Sequence, residues 1–219
     1  NAAFRKKSEK IPVSAIIVTK NEQDRIQSCL SQLKDFSQII VVDSNSTDKT
    51  QDLARQYGAQ VIPFTWNGRY PKKRQWCLDN LEIKNDWVFF IDSDELAPEA
   101  LIEEIAALNL LDNNSHAGFF IKGLYRLEDR VLRHGFANNK LALINRHKMH
   151  FPLVDDLDCP GMGEVEGHYQ PLRKPGFESD KIGRLKTPLI HDACGDMQKW
   201  QERHERYAHW EVEMDRKNA

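Results

Sequence analysis

The sequence lacks the features that mark most specialised protein classes. It has no apolar run of the ~20 residues that a membrane-spanning helix needs and no secretory leader pattern, so a cytoplasmic location is expected. Cysteine is scarce. The four residues Cys29, Cys77, Cys159 and Cys194 lie far apart, with no CxxC pair and no zinc spacing. That argues against a disulfide framework and leaves reduced thiols as the expected state; Cys29 and Cys77 fall at core-like positions of expected helices. The formal net charge of -2 supplies no basic field, so no nucleic-acid partner is expected. There is no internal repeat and no low-complexity tract. The sequence opens Asn1-Ala2-Ala3 without an initiator Met and ends inside a helical pattern at Asn218-Ala219, as expected of a piece cut from a longer protein.

What is present is an ordinary globular composition, 40% hydrophobic and 29% charged over 219 residues, enough for one α/β domain with a full-sized core or for two small ones. Positive charge is local, in Phe4-Arg5-Lys6-Lys7, in Lys72-Lys73-Arg74 and along the C-terminal segment. The first half alternates strand and helix signals. Val13 to Val18, Gln38 to Asp43 and Trp87 to Ile91 are apolar runs expected of strands buried on both faces. Gln60 to Phe64 reads as an edge strand because of Pro63. Helices are expected from Asn21-Glu22, with Ile26, Cys29, Leu30 and Leu33 on one face, and from a Ser46-Thr47-Asp48 cap to the stop at Tyr57-Gly58. Two more run from Arg74 to Leu81 and onward from Pro98, the latter with Leu101, Ile102, Ile105 and Leu108 on one face.

This alternation implies βαβ units and a mostly parallel sheet. The strand C-termini then lie along one edge, where open α/β sheets bind ligands. The second half changes character. Ala117 to Arg126 with Arg130 to Arg133 looks like a hairpin, and Lys140 to Asn145 like another strand. His150 to Ile182 is a long irregular region of the kind that forms lids and binding loops, and Asp196 to Lys217 is a helix. The expected layout is one compact domain made of a tail (1–11), a first half (12–116) and a second half (117–219).

The polar clusters fall at the strand ends: Thr19-Lys20-Asn21-Glu22 after the first strand, Asp43-Ser44-Asn45-Ser46 after the second, Asp92-Ser93-Asp94 after the fourth. Two carboxylates one residue apart at a strand end can both face a cleft. Hard oxygen donors suit Mg²⁺ or Mn²⁺, which binds one or two carboxylates together with substrate phosphates. A metal there would neutralise a diphosphate leaving group. The competing reading of such a triplet is a polar loop with a helix cap.

The segments SAIIVTKNEQDRIQSCL, IIVVDSNSTDKTQDLARQYGAQV and DWVFFIDSDE, with FTWNGRYPKKRQWCLDN between the last two, resemble the inverting family 2 glycosyltransferases of GT-A fold. The resemblance is close from about Pro12 to Glu95. It extends more weakly through the second half, towards the subgroup that adds glucose or a related sugar to the bacterial lipopolysaccharide core. It implies a Rossmann-like, mostly parallel sheet flanked by helices, a smaller antiparallel acceptor-side region and a C-terminal helix. It also implies a nucleotide diphosphate sugar as donor, UDP-linked and glucose-like by preference, and a glycan or glycolipid acceptor.

Residue by residue, the resemblance implies that Thr19, Asn21, Glu22, Asp43 and Ser46 hold the nucleoside, with Glu22 on the ribose and Asp43 on the base. Lys73 or Arg74 reaches the base or the diphosphate. Asp92 and Ser93 lie near the sugar nucleotide, Asp92 by ribose and metal, and Asp94 is the direct ligand of Mg²⁺ or Mn²⁺. His191, at the end of Thr187-Pro188-Leu189-Ile190, is the late histidine that contacts metal or diphosphate. Structural alternatives stand beside these: Glu22 as a first-turn helix carboxylate, Asp43 as a turn initiator, His191 as a structural residue. Lys72 reads better as a solvated helix start.

An inverting transfer needs a general base at the acceptor hydroxyl. The stretch Gly163-Glu164-Val165-Glu166-Gly167-His168 is the candidate, with Glu166 favoured over Glu164; the order departs from the subgroup's usual Val-His-Glu. Flanking glycines would let the backbone approach a sugar. Asp155 and Asp156 are further candidates, and His134, Arg133 and Lys140 could line the acceptor side. In the final helix, Trp200, Arg203, Tyr207, Trp210 and Met214 form a stripe that reads as packing. Lys199, Arg203, Arg206 and Arg216 make a peripheral contact with an anionic membrane surface the alternative, on the cytoplasmic face. Two other functions compete. A sugar-nucleotide nucleotidyltransferase would open with a glycine-rich phosphate loop, and Val13 to Glu22 contains no glycine. A catalytically inactive nucleotide- or carbohydrate-binding module would not need the intact acidic positions.

Overall fold

The computed structural model describes residues 9–112, 115–127, 130–134, 138–159, 162–164, 166, 169–192 and 197–218. Phe4-Arg5-Lys6-Lys7, Val165, Gly167-His168, Cys194 and the side chains of Lys199, Trp200 and Arg203, all singled out above, lie outside the described residues. Along the chain run β1 (Ile11–Thr19), α1 (Ile26–Ser31), β2 (Phe36–Asp43), α2 (Thr50–Gln56), β3 (Gln60–Pro63), α3 (Lys73–Asn80), β4 (Trp87–Asp92), β5 (Glu95–Leu96) and α4 (Glu99–Ala106). There follow β6 (His116–Leu127), β7 (Arg130–Val131), β8 (Asn138–Asn145), β9 (Met149–His150), β10 (Leu172–Arg173), β11 (Lys181–Arg184), β12 (Leu189–His191) and α5 (Met197–Asn218).

The main sheet has the order β3-β2-β1-β4-β8-β6-β12-β5. The pairs β3·β2, β2·β1 and β1·β4 are parallel, as the βαβ alternation requires. Direction changes at β8, which runs antiparallel to both β4 and β6. β11 and β12 add parallel strands to β6, and β9 with β10 makes a separate antiparallel pair. β3 ends the order, in keeping with Pro63, and β7 pairs with β6 as the expected hairpin.

The side-chain period of a strand sorts β1 between two cores. Ala15 and Ile17 join Ile26 and Leu30 of α1, Ala54 of α2, and Leu101 and Ile105 of α4. Ile16 faces the other way, towards Cys77 of α3, Phe64, Met149 and Phe151. The sheet is therefore covered on both faces, which explains its near-continuous apolar strands. Truncating a fully buried residue such as Leu101 to Ala would cost about 2–5 kcal/mol. Cys159, Met162 and Trp210 form a third, smaller cluster with Tyr169, Tyr207 and Met214, so the described part of the α5 stripe packs inward. Cys29, Cys77 and Cys159 are free and buried, as expected of reduced thiols. Among the described residues no helix is long and apolar enough to cross a membrane.

Three local expectations are corrected. α1 begins at Ile26 rather than at Asn21-Glu22, because Asn21 has a left-handed backbone (φ 54°) and its N–H goes to Ser46 instead. α2 begins at Thr50, because Ser46 turns back to Asp43; Asp48 accepts hydrogen bonds from the N–H and hydroxyl of Thr50 but is not the helix cap. Lys72 is not a solvated helix start: it is 2% exposed and its ammonium lies 2.8 Å from Asp156, itself fully buried.

Candidate active site

The register brings the expected strand ends together. Thr19 pairs with Asp43 across β1 and β2, and Val18 pairs with Asp92 across β1 and β4. The loops that leave β1 and β2 are hydrogen-bonded to each other. Asn21 N–H donates to Ser46 Oγ at 2.7 Å, Thr47 N–H donates to Asn21 Oδ1 at 2.8 Å, and Glu22 N–H donates to Thr50 Oγ1 at 2.8 Å. Asp43 is fully buried and accepts from Ser46 N–H (2.8 Å), Ser46 Oγ and Gln51 Nε2 (2.7 Å). The Glu22 carboxylate pairs with Arg25 at 3.3 Å, ahead of the first turn of α1.

At the end of β4 the two aspartates part company. Asp92 takes Arg74 Nη2 at 2.8 Å and Lys140 Nζ at 3.0 Å. Burial alone would raise its carboxyl, but Lys140 and Arg74 outweigh that and hold it well below the usual carboxylate range. Asp94 instead faces His191, whose Nε2 lies 3.1 Å from Asp94 Oδ2, and Asp192 N–H donates to the Asp94 carbonyl at 2.7 Å. β12 delivers His191 here by pairing with β5 and β6, and its ring stacks on Tyr125. Burial would lower the imidazole, but the bond to Asp94 and the surrounding carboxylates raise it above its ordinary value. Ser93, between the two aspartates, is buried.

Lys140 and Glu95 belong to this cluster too. Glu95 is fully buried, accepts from Asp92 N–H at 2.9 Å and pairs with Lys140 at 2.5 Å. Lys140 had been expected on the acceptor side. β8 runs antiparallel to β4 with Phe89 opposite Leu143, and continuing that register sets Lys140 opposite Asp92. Nothing local in the sequence could have chosen that partner strand. Arg133 and His134, by contrast, are exposed residues just beyond β7.

The second-half carboxylates lie over the start of α3. Glu164 pairs with Lys73 at 2.6 Å and accepts from Ser44 Oγ; Gly163 before it has a left-handed backbone (φ 44°), which glycine adopts freely. Glu166 is 6% exposed and accepts from the N–H groups of Arg74 (2.6 Å) and Gln75 (3.3 Å), satisfying the first turn of α3. Burial raises its carboxyl above the ordinary value, with Arg74 offsetting part of the effect. It also lines a shallow pocket walled by Tyr70, Phe151 and Tyr169. Asp156 is fully buried against Lys72, Tyr70 and Trp210, so it cannot serve as a base at an acceptor, and Asp155 is an exposed side chain.

Among the described residues, no group of three or more His, Cys, Asp and Glu side chains is arranged to hold a metal. The expected set of Asp92, Asp94 and His191 is thus divided: Asp94 and His191 meet, while Asp92 is neutralised by cations. Six buried side-chain polar atoms lack a hydrogen-bond partner among the described residues, and four of them sit in this cluster: Thr19 Oγ1, Arg74 Nε, Glu95 Oε1 and His191 Nδ1. Native proteins leave few such atoms unsatisfied by protein groups or water.

Known proteins resemble parts of the chain. An uncharacterized glycosyltransferase of Rickettsia bellii is 40% identical over 94 residues, 42% of this chain and 31% of the relative. The lipopolysaccharide core biosynthesis glycosyltransferase LpsC of Rhizobium meliloti is 34% identical over 104 residues, 45% of this chain and 37% of that protein. The chain thus spans about a third of the length of these relatives. The crystal structure of glucosyl-3-phosphoglycerate synthase from Mycobacterium tuberculosis, in complex with Mn²⁺, UDP and glucosyl-3-phosphoglycerate, overlaps 54% of this chain and 45% of its own, at 25% identity and a TM-score of 0.40. The α/β arrangement expected of a GT-A fold, a parallel sheet continued by antiparallel strands and a C-terminal helix, is the one observed. A family model described as glycosyl transferase family 2 matches residues 14–196, and the chain belongs to that family.

Proposed function

We propose that this chain transfers a hexose from a nucleotide diphosphate sugar, UDP-glucose or a close relative, to a glycan or glycolipid hydroxyl in bacterial lipopolysaccharide or surface-polysaccharide synthesis, with inversion. Residues 12–116 are read as the donor half and 117–219 as the acceptor half. The observation that carries this reading is the gathering of unsatisfied buried polar atoms from Thr19, Arg74, Glu95 and His191 around Asp92 and Asp94.

In the donor half, the Thr19–Glu22 loop, Asp43 and Ser46 take the nucleoside. A carboxylate has about four acceptor positions; three bonds from Ser46 and Gln51 leave Asp43 room for one base N–H. Arg74 and Lys140, now paired with Asp92 and Glu95, and Lys73, paired with Glu164, are the cations read as turning to the diphosphate.

Asp94 and His191 are the residues that would hold Mg²⁺ or Mn²⁺. Asp94 Oδ2 and His191 Nε2 share a hydrogen bond at 3.1 Å, and an ion held by both would take the place of the shared proton. When bound, such an ion supplies charge neutralisation for the departing diphosphate. In the acceptor half, Glu166 takes the proton of the acceptor hydroxyl. The acceptor oxygen then bonds to the anomeric carbon as the bond to the diphosphate oxygen breaks, without a covalent enzyme intermediate. α5, with its basic residues, is read as lying at the cytoplasmic membrane surface where a glycolipid acceptor is found.

A hydrolysis screen of UDP-, GDP- and CMP-linked sugars with Mg²⁺ or Mn²⁺ tests the proposal. It expects consumption of a UDP-hexose that stops on chelation. Consumption of none of them contradicts it.

A further inference from the structure

Three consecutive residues at the start of α3 each grip the irregular segment that follows β9. Lys72 Nζ meets Asp156 Oδ2 at 2.8 Å, Lys73 Nζ meets Glu164 Oε1 at 2.6 Å, and the N–H of Arg74 donates to Glu166 Oε1 at 2.6 Å. A backbone bond from Lys73 N–H to the Glu164 carbonyl reinforces the middle grip. The first grip differs from the other two. Both partners are removed from solvent, with side chains 1% and 0% exposed, and neither lies in the cluster around Asp92 and Asp94. Asp156 also accepts from Tyr70 Oη and from Trp210 Nε1 at 3.0 Å. One carboxylate therefore joins the turn before α3, the irregular segment and α5.

A buried ion pair is a poor source of stability, since desolvating two charges offsets most of their attraction, but it does fix geometry. Here the fixed geometry is that of the two carboxylates on either side of Val165. We propose that Lys72 and Asp156 are a positioning pair, which sets where Glu164 and Glu166 stand relative to Arg74 and Asp92. The pair acts through the next two residues of its own turn and touches no substrate. The catalytic part of this inference rests on the reading of Glu166 or Glu164 as the acceptor-activating base; the mechanical part does not.

The test is the double variant Lys72→Met/Asp156→Asn in the full chain. Methionine keeps the length of the lysine stem without its charge. Asparagine keeps one acceptor, for Trp210, and its amide N–H can donate to Tyr70 Oη, so no buried charge is left unpaired. Amide hydrogen exchange is followed by mass spectrometry over residues 151–169, and UDP release from UDP-glucose with Mg²⁺ is measured beside it. Exchange over 151–169 is expected to rise about tenfold, with peptides of β1, β2 and β4 unchanged. kcat is expected to fall about tenfold, with the KM for UDP-glucose within about twofold of the parent. Exchange that stays at the parent's rate overturns the pair's positioning role. Faster exchange with unchanged kcat overturns its link to the reaction. If the parent itself releases no UDP, the UDP-glucose donor reading fails separately, and exchange alone decides the mechanical role. Should the double variant fail to fold, Asp156→Glu is the second test: it keeps the charge and displaces it by one methylene, and the same rise in exchange and fall in kcat are expected.

Discussion

In the first half (12–116), proposed to hold the donor, the groups of the site stand on strand ends whose register is fixed by the sheet, and the loops that carry Asn21, Glu22, Asp43 and Ser46 bond to one another. In the acceptor half, Glu164 and Glu166 stand on irregular chain and owe their positions to Lys73, Ser44 and the first N–H groups of α3, all parts of the donor half. The nucleoside-side loops are held together within the first half, whereas Asp92, Asp94 and Glu95 take Lys140 and His191 from the second. Glu164 and Glu166 are placed by the start of α3, so loosening that contact should disturb them while leaving the bonds between the nucleoside-side loops intact.

The largest effect should come from the donor side. Asp94→Ala removes a carboxylate proposed to stabilise the leaving diphosphate, several kcal/mol of transition-state charge, and turnover should fall about a thousandfold. The melting temperature should stay near that of the parent. Full UDP release by this variant in the presence of chelator would remove the metal role altogether.

Glu166→Gln sharpens the comparison from the other side. Turnover should fall about a hundredfold while UDP binding is unchanged; if Glu164→Gln gives that pattern instead, the base is Glu164. The pH dependence has a definite sign. Burial raises the Glu166 carboxyl above its ordinary value, so its contribution to stability is complete below the unfolded value and is lost as pH rises through the folded one. Glutamine cannot ionise, and Glu166→Gln should therefore melt no lower than the parent at pH 7. The parent's rate should fall as pH drops through the raised value, because the base is then protonated.

A smaller effect is expected at Asp43. The substitution Asp43→Asn trades an acceptor for a donor among Ser46 and Gln51, and UDP should bind about tenfold more weakly, roughly one charge-assisted hydrogen bond. Unchanged affinity would leave Asp43 as a turn-holding residue only. The smallest effect is expected at Trp210→Phe, which loses the bond to Asp156 at the far side of the acceptor half. Urea unfolding should report about 1 kcal/mol of lost stability with UDP affinity intact; weakened UDP binding would show that α5 also supports the nucleoside-side loops.

The donor half was legible from sequence because its signals are local. The apolar runs of β1, β2 and β4, the proline of β3 and the polar residues after each strand needed no knowledge of distant pairing. His191 could be singled out because a short apolar run leads into it, and it does meet Asp94. What escaped depends on contacts between distant segments. Lys140 joins Asp92 and Glu95 only because β8 pairs with β4 in one register. Lys72 looks like a surface lysine until Asp156, far along the chain, is folded over it. The helix starts were misjudged for a related reason: Asn21 and Ser46 bond to each other across two loops, which local capping rules do not foresee.

The central claim is that the end of β4, with its neighbours on β1, β2 and β12, is a site for a nucleoside diphosphate. Titration calorimetry of UDP against the parent protein, with Mn²⁺ and with chelator, tests it most directly. UDP should bind with Mn²⁺ in preference to GDP, at least tenfold more weakly on chelation, and more weakly still in Asp94→Ala. No binding of UDP or GDP under either condition would contradict it.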